Sequence, residues 1–521
     1  MLLPLAISTV TLLTAYFYTK IRYTRFNQYA HFPQMPTSFA LGHLETIDKF
    51  LRAAGPKAHP DLAFKGINEA LGRPPLMLLD MRPLGPLVVI VRSHEVAEQL
   101  SKPNKQYPYS LPKMQNAFQE LSHVIGRTSL ISSEGEEWKQ LRKRFNAGFA
   151  PQHLFTLLPH ILDKCATFIE HLDRFAETEA SFSLMKLASN LTFDIITNVT
   201  MDADFNAQKT GQPTEFVKAY HEMIGMFGSE GIILPWYFTP FKEMKRRKLS
   251  KRVYDALRPI VRDAYANRKD QSTKSRSILS LSLEQDVEIP SQRMIDEACD
   301  QLCTFLFAGH DTTSTLLCWL FYELSRTPHA MKALRKELND LFGKDPNPAI
   351  VRDKLLSSDG QDIVSRMTYT SAVVKEALRL WPPGGTARMT KAGDGLKVQT
   401  SMGEFNLDGV NIYPVSIMLH HDPQVYGDTA ESFVPERWLQ QDESGPDRIP
   451  ASAWRPFERG PRNCIGQELT NLEARVVVAL IARRYDFVKV GLGETRMDDA
   501  GKPLMGERGS YSDATSHSEA G

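Results

Sequence analysis

Hydrophobic positions recur along the chain with two different periods, which predict a mainly helical body with little sheet. Apolar residues return every three to four positions over Pro151–Phe175, Ser291–Ser325 and Met331–Leu341, the period of a helix with one buried face. The unbroken apolar run Leu87–Val91 is typical of a buried strand, and strand-like sequence recurs over Leu396–Gly409. We therefore expect a mainly α fold with minor β sheets and no internal repeat.

The first segment has a different pattern, which predicts a membrane anchor. Leu2–Thr19 carries no charge, and Lys20, Arg22 and Arg25 follow directly. Eighteen helical residues span about 27 Å, close to the thickness of the endoplasmic reticulum bilayer. The positive-inside rule then predicts a single-pass helix with the rest of the chain in the cytosol. A cleaved signal peptide is the alternative, but it carries its charges before the apolar run.

Changes in composition divide the rest of the chain. Pro33 and Pro36 interrupt regular structure after the basic residues. The final residues are rich in Gly, Asp, Ser and Glu, and we expect the last dozen to be disordered. The expected segments are a transmembrane anchor (1–19), a basic and proline-containing connector (20–36), one large domain (37–490) and a polar tail (491–521).

Composition and charge exclude several protein classes. The 521 residues include 62 basic and 61 acidic side chains, a net charge of +1, whereas phosphate-dependent nucleic-acid binding requires a clear basic excess. We therefore expect no nucleic-acid partner. Hydrophobic residues at 42% and charged residues at 24% exclude a largely disordered chain. Five cysteines do not make a disulfide framework, and this favours a reducing compartment.

One cysteine lies in a segment built for a rigid loop. Pro and Gly residues surround Cys464 within residues 456–466, and a helical pattern follows over Glu468–Arg484. A cysteine just before a helix is favoured as a thiolate by the free N–H groups and the helix dipole. Gly460 and Gly466 would let a flat cofactor approach the backbone. A buried cysteine in a turn is the simpler alternative.

The pattern Phe-x-x-Gly-x-Arg-x-Cys-x-Gly around this cysteine is specific. By average residue usage it arises by chance in on the order of one chain in ten thousand or fewer. It resembles the haem-binding loop of the cytochrome P450 family. The resemblance implies haem b (iron protoporphyrin IX) as cofactor and the Cys464 thiolate as axial iron ligand. It also implies that Phe457 packs beside the sulfur, that Arg462 meets a haem propionate and that Gly466 gives the cofactor room.

A second motif lies in the middle of the apolar helical run Ile295–Leu324. Its sequence, Ala-Gly-His-Asp-Thr-Thr over 308–313, places a glycine where it costs about 1 kcal/mol relative to alanine. Two explanations are open, a local opening of the helix beside a ligand and close helix packing. The segment resembles the family's oxygen-binding groove. By resemblance Thr312 holds the oxygen ligand and Asp311 supplies protons through water, which argues against relatives that rearrange peroxides.

Three further charged residues resemble a structural triad of the family. Glu376 and Arg379 are three residues apart on one helix face, a spacing that occurs about once per chain by chance. A surface ion pair is therefore the simple alternative. Arg437, within Pro-Glu-Arg-Trp at 435–438, completes the resemblance, which implies a buried network that supports the haem pocket without taking part in the reaction.

Further residues resemble the family's propionate ligands. Trp138 and Arg142 are four residues apart and share one helix face. They match the family's Trp-x-x-x-Arg helix, which implies that both lie toward the haem propionates. Arg388 stands where the family has another propionate-binding arginine, a residue type that binds carboxylates in a bidentate manner.

Two basic regions have alternative interpretations. Lys139, Lys143 and Arg144 form either a solvated helix face or a docking surface for an acidic reductase. The apolar segment Gly231–Phe241, followed by seven cations in Lys242–Arg252, is either an ordinary loop and helix or a membrane-dipping loop with a basic collar.

The resemblance covers about residues 35–490, with five motifs in family order. It implies a cytochrome P450 fold in a single large domain with an N-terminal transmembrane helix. The implied activity inserts one oxygen atom from O2 into a small apolar organic substrate. Electrons come from NADPH through NADPH–cytochrome P450 reductase, and membrane lipid is a further partner.

The nearer resemblance is to fungal enzymes that tailor secondary metabolites, such as versicolorin-type polyketide oxidases, and it is carried by stretches such as Trp138–His153. The sequence leaves the substrate and the type of oxidation open. Other hypotheses are a fatty-acid or xenobiotic hydroxylase, a haem protein without oxygenase activity, and a haem-thiolate isomerase.

Overall fold

The computed structural model describes most of the chain. The described residues are 2–55, 58–114, 121–209, 211, 213–228, 239–268, 276–284, 289–439, 448–506 and 509–513, with side chains from residue 7 onward and without those of 227 and 228. They divide into two compact units, so the body expected as one large domain comprises both. Unit 1 consists of residues 1–114, 385–426 and 450–463, and unit 2 of residues 115–384, 427–449 and 464–521.

Helices dominate the described residues, as the periodicity predicts. They are α1 (Leu2–Phe26), α2 (Leu44–Ala53), α3 (Pro60–Ala70), α4 (His94–Ser101), α5 (Gly135–Asn146), α6 (Pro151–Thr156), α7 (Leu158–Thr178), α8 (Leu184–Met201), α9 (Glu215–Gly228), α10 (Pro240–Asn267), α11 (Ile278–Ser282), α12 (Gln292–Arg326), α13 (Pro328–Phe342), α14 (Pro348–Leu356), α15 (Gly360–Arg366), α16 (Thr368–Leu380), α17 (Ser416–His420), α18 (Pro423–Tyr426) and α19 (Gln467–Ile481). The strands are β1 (Leu76–Asp80), β2 (Leu87–Val91), β3 (Arg388–Met389), β4 (Lys397–Thr400), β5 (Gly403–Asn406) and β6 (Asn411–Pro414).

Unit 1 is organised around a four-stranded sheet in the order β1-β2-β6-β3. Strands β1 and β2 are antiparallel, β6 runs parallel to β2, and β3 is antiparallel to β6. Leu78 and Val89 are buried in one apolar cluster, whereas Leu79 and Ile90 are buried in another. Because successive side chains point to opposite faces of a sheet and both faces are covered, the strand needs an unbroken apolar run.

The end of α1 is fastened to this sheet by an ion pair. The Arg25 guanidinium lies 2.5 Å from the Asp80 carboxylate, and both side chains are buried. Arg82 pairs with the same carboxylate at 2.7 Å. Burial alone would raise the pKa of Asp80, but hydrogen bonds from Arg82 and Arg25 hold it below its ordinary value. Arg25 is therefore a packed residue and not a free cation beside a membrane.

The expected transmembrane helix over residues 1–19 finds no support among the described residues. Within them, no helix combines the length and the apolarity that crossing a bilayer requires.

Unit 2 is built around the long helix α12, which packs against α8. The Thr192 hydroxyl of α8 donates to the main-chain oxygen of His310 in α12 at 2.7 Å. A β-carbon at Gly309 would lie 2.7 Å from Cγ1 of Ile196, so the glycine permits this close approach. Helix α12 is continuous from Gln292 to Arg326, and the contact with Ile196 gives Gly309 a role in helix packing, while the expected local opening beside a ligand stays a prediction.

Part of the C-terminal tail is ordered. Arg326, at the end of α12, accepts a hydrogen bond at its main-chain oxygen from the Tyr511 N–H, and its guanidinium lies 3.3 Å from the Asp513 carboxylate. The disorder expected for the last dozen residues therefore does not extend to 510–513, while residues 514–521 lie outside the described residues.

Candidate active site

Cys464 stands immediately before helix α19 of unit 2. Gly466 is the residue that precedes the first helical position, and a β-carbon there would lie 3.9 Å from the Cys464 sulfur. The thiol therefore lies beside the free N–H groups of a helix N-terminus, which favour an anion. Cys464 is exposed, whereas Cys165, Cys299 and Cys303 are buried and Cys318 is half-buried.

The other cysteines are poor ligands for an external metal. Burial raises the pKa of the Cys299 and Cys318 thiols to about 12, and it also raises the pKa of Cys165. Only a thiolate is an effective metal ligand. Among the five cysteines, Cys464 is therefore the one suited to hold iron.

The residues just before Cys464 belong to unit 1. Arg462 is buried, and the Phe457 ring packs edge-on against Trp454 at a centroid distance of 6.1 Å. Gly460 has a φ of +79°, and a β-carbon there would overlap the carbonyl oxygen of Ser101. This backbone contact is one reason for a glycine at 460, and the room for a cofactor stays a prediction.

An ion network that the sequence analysis missed fixes this loop within unit 1. Arg455 is buried and lies 2.9 Å from Glu458 and 3.4 Å from Glu98. Arg459 pairs with the same Glu98 at 2.8 Å. The available signal was the pair of arginines beside the loop motif, but their partner Glu98 lies more than 350 residues earlier in the chain.

Arg388, another residue expected at a propionate, is also in unit 1. It opens strand β3 and pairs in register with Ile412 of β6. Its side chain is buried, and Nη1 donates to the main-chain oxygen of Leu111 at 3.2 Å. The sheet and this contact hold the guanidinium in a fixed place.

Helix α5 of unit 2 presents Trp138 and Arg142 from successive turns. Trp138 is buried, and Arg142 Nε donates to Asn146 Oδ1 at 2.8 Å. Burial lowers the pKa of the Arg142 guanidinium, and the Cys464 side chain acts in the opposite direction through its charge. The structure thus brings Arg142 and Cys464 within electrostatic range of each other.

Helix α12 presents Asp311 and Thr312 side by side. The Thr312 hydroxyl is exposed and donates to the main-chain oxygen of Ala308 at 2.7 Å. The Asp311 Oδ1 atom lies 3.1 Å from His310 Nε2. Burial alone would raise the pKa of Asp311, but the hydrogen bond and charge of His310 and the charge of His221 hold it below its ordinary value. His310 was part of the sequence motif, but its role was missed.

Glu376, Arg379 and Arg437 meet in one buried network. Arg379 binds both Glu376 oxygens, at 2.8 and 3.0 Å, and Arg437 Nε donates to Glu376 Oε1 at 3.0 Å. The same carboxylate accepts from Trp438 Nε1 at 2.9 Å and from the Val434 N–H at 3.0 Å. The Glu376 and Arg379 side chains are 0% exposed, which excludes the alternative of a surface ion pair.

Arg379 extends this network to the backbone. Its Nη1 and Nη2 donate to the main-chain oxygens of Ala430 and Ser432 at 2.5 and 2.9 Å. Arg437 likewise donates to the main-chain oxygen of Thr429 at 2.9 Å. The network therefore ties helix α16 to the irregular segment 429–438 of the same unit.

The basic residues of α5 differ in exposure. Lys139 and Lys143 are exposed, and Lys139 pairs with Glu136 at 3.4 Å. Arg144 is half-buried and donates to the main-chain oxygen of Ser282 at 3.2 Å. The two lysines thus remain at the surface, whereas Arg144 holds α5 to α11.

The basic segment Lys242–Arg252 lies within α10. Arg246 is buried, and Arg247 pairs with Glu243 at 2.7 Å. Lys245 pairs with Glu222 at 2.6 Å, so several of the seven cations already have acidic partners. Residues 229–238 of the apolar segment before them lie outside the described residues.

Comparison with known proteins identifies the family. The cytochrome P450 family model matches residues 75–507, more than half of the chain. The cytochrome P450 monooxygenase acrF of Aspergillus aculeatus is 29% identical over 448 residues, 82% of this chain and 87% of the relative. The cytochrome P450 monooxygenase polC of Polytolypa hystricis is 28% identical over 489 residues, 87% of this chain and 81% of the relative.

A human relative extends the same likeness outside the fungi. Cytochrome P450 4V2 of Homo sapiens is 27% identical over 438 residues, 79% of this chain and 76% of the relative. With the family model matched across most of its length, the chain belongs to the cytochrome P450 family and is a monooxygenase of that family.

Proposed function

We propose that this chain is a haem-thiolate monooxygenase that inserts one oxygen atom from O2 into a small apolar substrate of fungal secondary metabolism. The observation that carries the proposal is Cys464, the exposed cysteine at the start of α19. The two fungal relatives are named monooxygenases, which supports the same reaction here. Polyketides, terpenoids and alkaloids are the proposed substrate classes.

The residues around Cys464 fit haem b as the cofactor. A single thiolate supplies one iron ligand, so the remaining ligands have to come from a macrocycle such as a porphyrin. Haem, when bound, supplies the activation of O2. Arg142 fits a propionate because it is half-buried and a guanidinium binds a carboxylate in a bidentate manner. The propionate roles expected for Arg388 and Arg462, both buried in unit 1, stay predictions.

Asp311 and Thr312 are the proposed proton-handling residues. The Thr312 hydroxyl donates a hydrogen bond to the Ala308 carbonyl oxygen. The hydroxyl oxygen can still accept a hydrogen bond from a second group. The lowered pKa of Asp311 keeps its carboxylate anionic, and the side chain is 51% exposed, so water can bring protons to it. Proton transfer by a positioned side chain contributes about 10²–10⁴-fold to a rate.

Electrons are proposed to come from NADPH through NADPH–cytochrome P450 reductase. The exposed Lys139 and Lys143 on α5 support an acidic docking partner, because complementary charge steers protein association. Lys139→Glu with Lys143→Glu should slow reduction by the reductase and should weaken its salt dependence. Lys336→Glu with Lys332→Glu on α13 is the matched control. Equal reduction rates in both double variants would contradict this docking surface.

We also propose that α1 attaches the protein to the endoplasmic reticulum membrane, with the catalytic units in the cytosol. Large apolar side chains are exposed along this helix, among them Leu12 at 71%, and the cations Lys20 and Arg22 follow. Leu12→Glu with Leu13→Glu should move the full chain from the membrane fraction to the supernatant. Leu84→Glu, another exposed apolar position, is the control. A double variant that stays with the membrane would contradict this attachment.

The deciding experiment is the absorption spectrum of the reduced, carbon monoxide-bound protein. We expect the red-shifted Soret band of a thiolate ligand in the wild type and its loss in Cys464→Ala. Cys318→Ala, at the half-buried cysteine of α12, should keep the band. A band typical of histidine-ligated haem, or a band that survives in Cys464→Ala, would overturn the proposal.

A further inference from the structure

His310 is buried inside a cage of aromatic rings next to the proposed proton donor. Its side chain is 2% exposed. The ring packs edge-on against Phe193 of α8 at 5.8 Å and against Tyr220 of α9 at 5.4 Å, and it stacks with His221 at 6.4 Å. Such a cage fixes the orientation of the imidazole and keeps water from its faces.

Both ring nitrogens of His310 have hydrogen-bond partners on its own helix. Nδ1 lies 2.8 Å from the main-chain oxygen of Leu306, and Nε2 lies 3.1 Å from Asp311 Oδ1. A carbonyl oxygen only accepts, so Nδ1 carries a proton. Nε2 therefore meets Asp311 in one of two ways. Either the ring is doubly protonated and donates to a carboxylate, or the ring is neutral and accepts from a protonated carboxyl group.

The two arrangements contain the same number of protons. They differ only in whether one proton is bound to Nε2 of His310 or to Oδ1 of Asp311. The His310 side is buried, whereas the Asp311 side chain is 51% exposed. A proton held between the two side chains can therefore reach solvent through the carboxyl group of Asp311.

We propose that His310 is a positioning residue that holds the Asp311 carboxyl group and shares one proton with it, so that the pair delivers protons toward Thr312. The inference rests on the proposed role of Asp311. The proton moves from Nε2 to Oδ1 and leaves from the carboxyl group, after which the ring is neutral and the carboxylate is anionic. One proton from water, taken up through the exposed carboxylate, restores the pair.

The groups that face this pair act on the protonation of Asp311. Burial alone would raise the pKa of Asp311, but His310 and His221 hold it below its ordinary value. Burial lowers the pKa of His221, His310 lowers it further, and Asp311 opposes them. Tyr220 is fully buried and its pKa is raised by burial, by Cys303 and by Asp311, so it stays neutral. Thr192 and Phe193, from α8, are uncharged.

Beside the pair, two side chains of α9 have no hydrogen-bond partner among the described residues. These are the Tyr220 hydroxyl and His221 Nε2, both buried atoms. A buried polar atom without a partner costs about 1–3 kcal/mol, so its presence in a folded core calls for a reason. A water or a ligand group that binds between α9 and α12 would satisfy both atoms and reach the Asp311 side of the pair.

His310→Gln separates holding from proton sharing. The glutamine amide donates to Asp311 from about the place of Nε2, but it has no proton to transfer. His171→Gln is the matched control, because Nε2 of that half-buried histidine contacts a backbone carbonyl at 2.8 Å and lies on α7. The carbon monoxide spectrum of each variant reports whether its haem site is intact.

The first readout is infrared spectroscopy of the holoenzyme with ¹³C-labelled aspartate, with the Asp311 band assigned from Asp311→Asn. Without the imidazolium charge, the carboxylic-acid band of Asp311 should appear at a pH about one unit higher in His310→Gln than in the wild type. The second readout is product formed per NADPH, which should fall several-fold in His310→Gln and stay unchanged in His171→Gln.

The outcomes separate the role of His310 from the role of Asp311. An unshifted Asp311 band in His310→Gln, or coupling equal to that of His171→Gln, overturns the sharing of a proton with His310. If Asp311→Asn itself retains full coupling, the proposed role of Asp311 fails and this inference fails with it. If Asp311→Asn uncouples turnover while His310→Gln does not, only the inference about His310 fails.

Discussion

Gly309 of helix α12 lies directly against Ile196 of helix α8, at a distance that leaves no room for a methyl group. A β-carbon at 309 would lie 2.7 Å from Cγ1 and 2.8 Å from Cδ1 of Ile196. The pair sets how closely the two helices approach next to Asp311 and Thr312, so helix packing and the residues proposed to handle protons depend on the same glycine.

Gly309→Ala should lower the free energy of unfolding by about 1–3 kcal/mol, because overpacking outweighs the better helix propensity of alanine. Gly225→Ala in α9 is the control, since a β-carbon there meets nothing within 4 Å. Gly225→Ala should raise the free energy of unfolding by about 0.5–1 kcal/mol. Denaturant unfolding of both variants measures the difference, and equal stability would contradict the packing argument.

Loss of the Glu376 carboxylate should be among the most damaging changes in unit 2. Glu376→Ala leaves Arg379 buried without its partner, which costs about 3–5 kcal/mol. Arg52→Ala, which breaks the exposed pair with Asp48, should cost less than about 1 kcal/mol. Urea unfolding with haem retention as a second probe tests this contrast. A similar loss of unfolding free energy in both variants would mean that the buried network stabilises the fold no more than a surface ion pair does.

Glu473 on α19 should make stability depend on pH. It is buried with one oxygen unpartnered, and burial raises its pKa to about 8 from an ordinary 4.5. The folded state therefore holds a proton that the unfolded state releases. The free energy of unfolding is therefore highest, as far as Glu473 affects it, below about pH 4.5. It falls by about 1.4 kcal/mol per pH unit as the pH rises from there to about 8.

Glu473→Gln should therefore raise the unfolding midpoint at pH 8 and leave it nearly unchanged at pH 5. Glu177→Gln, at an exposed position of α7, should change neither. Thermal unfolding of the three proteins across this pH range is the measurement. Parallel pH profiles for wild type and Glu473→Gln would show that the carboxyl group does not change its protonation on folding.

Thr312→Ala should uncouple NADPH oxidation from product formation. The change removes the hydroxyl that the Ala308 carbonyl orients, so proton delivery fails and reduced oxygen leaves as hydrogen peroxide. The peroxide released per NADPH should rise several-fold, whereas Thr312→Ser, which keeps a hydroxyl, should remain close to wild type. Coupled turnover in Thr312→Ala would argue against the proton role and would leave the isomerase alternative open.

The sequence was most informative where local chemistry decides the structure. The amphipathic period predicts α12 to within one residue at each end, and in the structure the Ser291 hydroxyl caps this helix by accepting from the Met294 N–H at 3.3 Å. Leu87–Val91 is predicted without error because a strand buried on both faces needs an unbroken apolar run. Strand β1, which has the same length and pairs with that strand, was missed.

Contacts between distant residues were outside the reach of the sequence. Glu98, a partner of Arg455, lies on α4, and the aromatic rings around His310 come from α8 and α9. The spacing of residues within a motif predicts neither contact. Gly309 shows the same limit, because only the position of Ile196 decides between a packing role and a ligand role. Spacing predicts neighbours along one helix but not across two.

The buried pair of Arg25 with Asp80 has a practical consequence for handling the protein. Shortening the chain from its N-terminus, as is common before crystallisation, stays harmless only while the cut falls upstream of residue 25. A cut beyond residue 25 removes the last turn of α1 from the sheet and leaves Arg82 as the remaining partner in this cluster for Asp80. The useful trimmed chain therefore keeps part of its first helix, even where removing all of it would improve solubility.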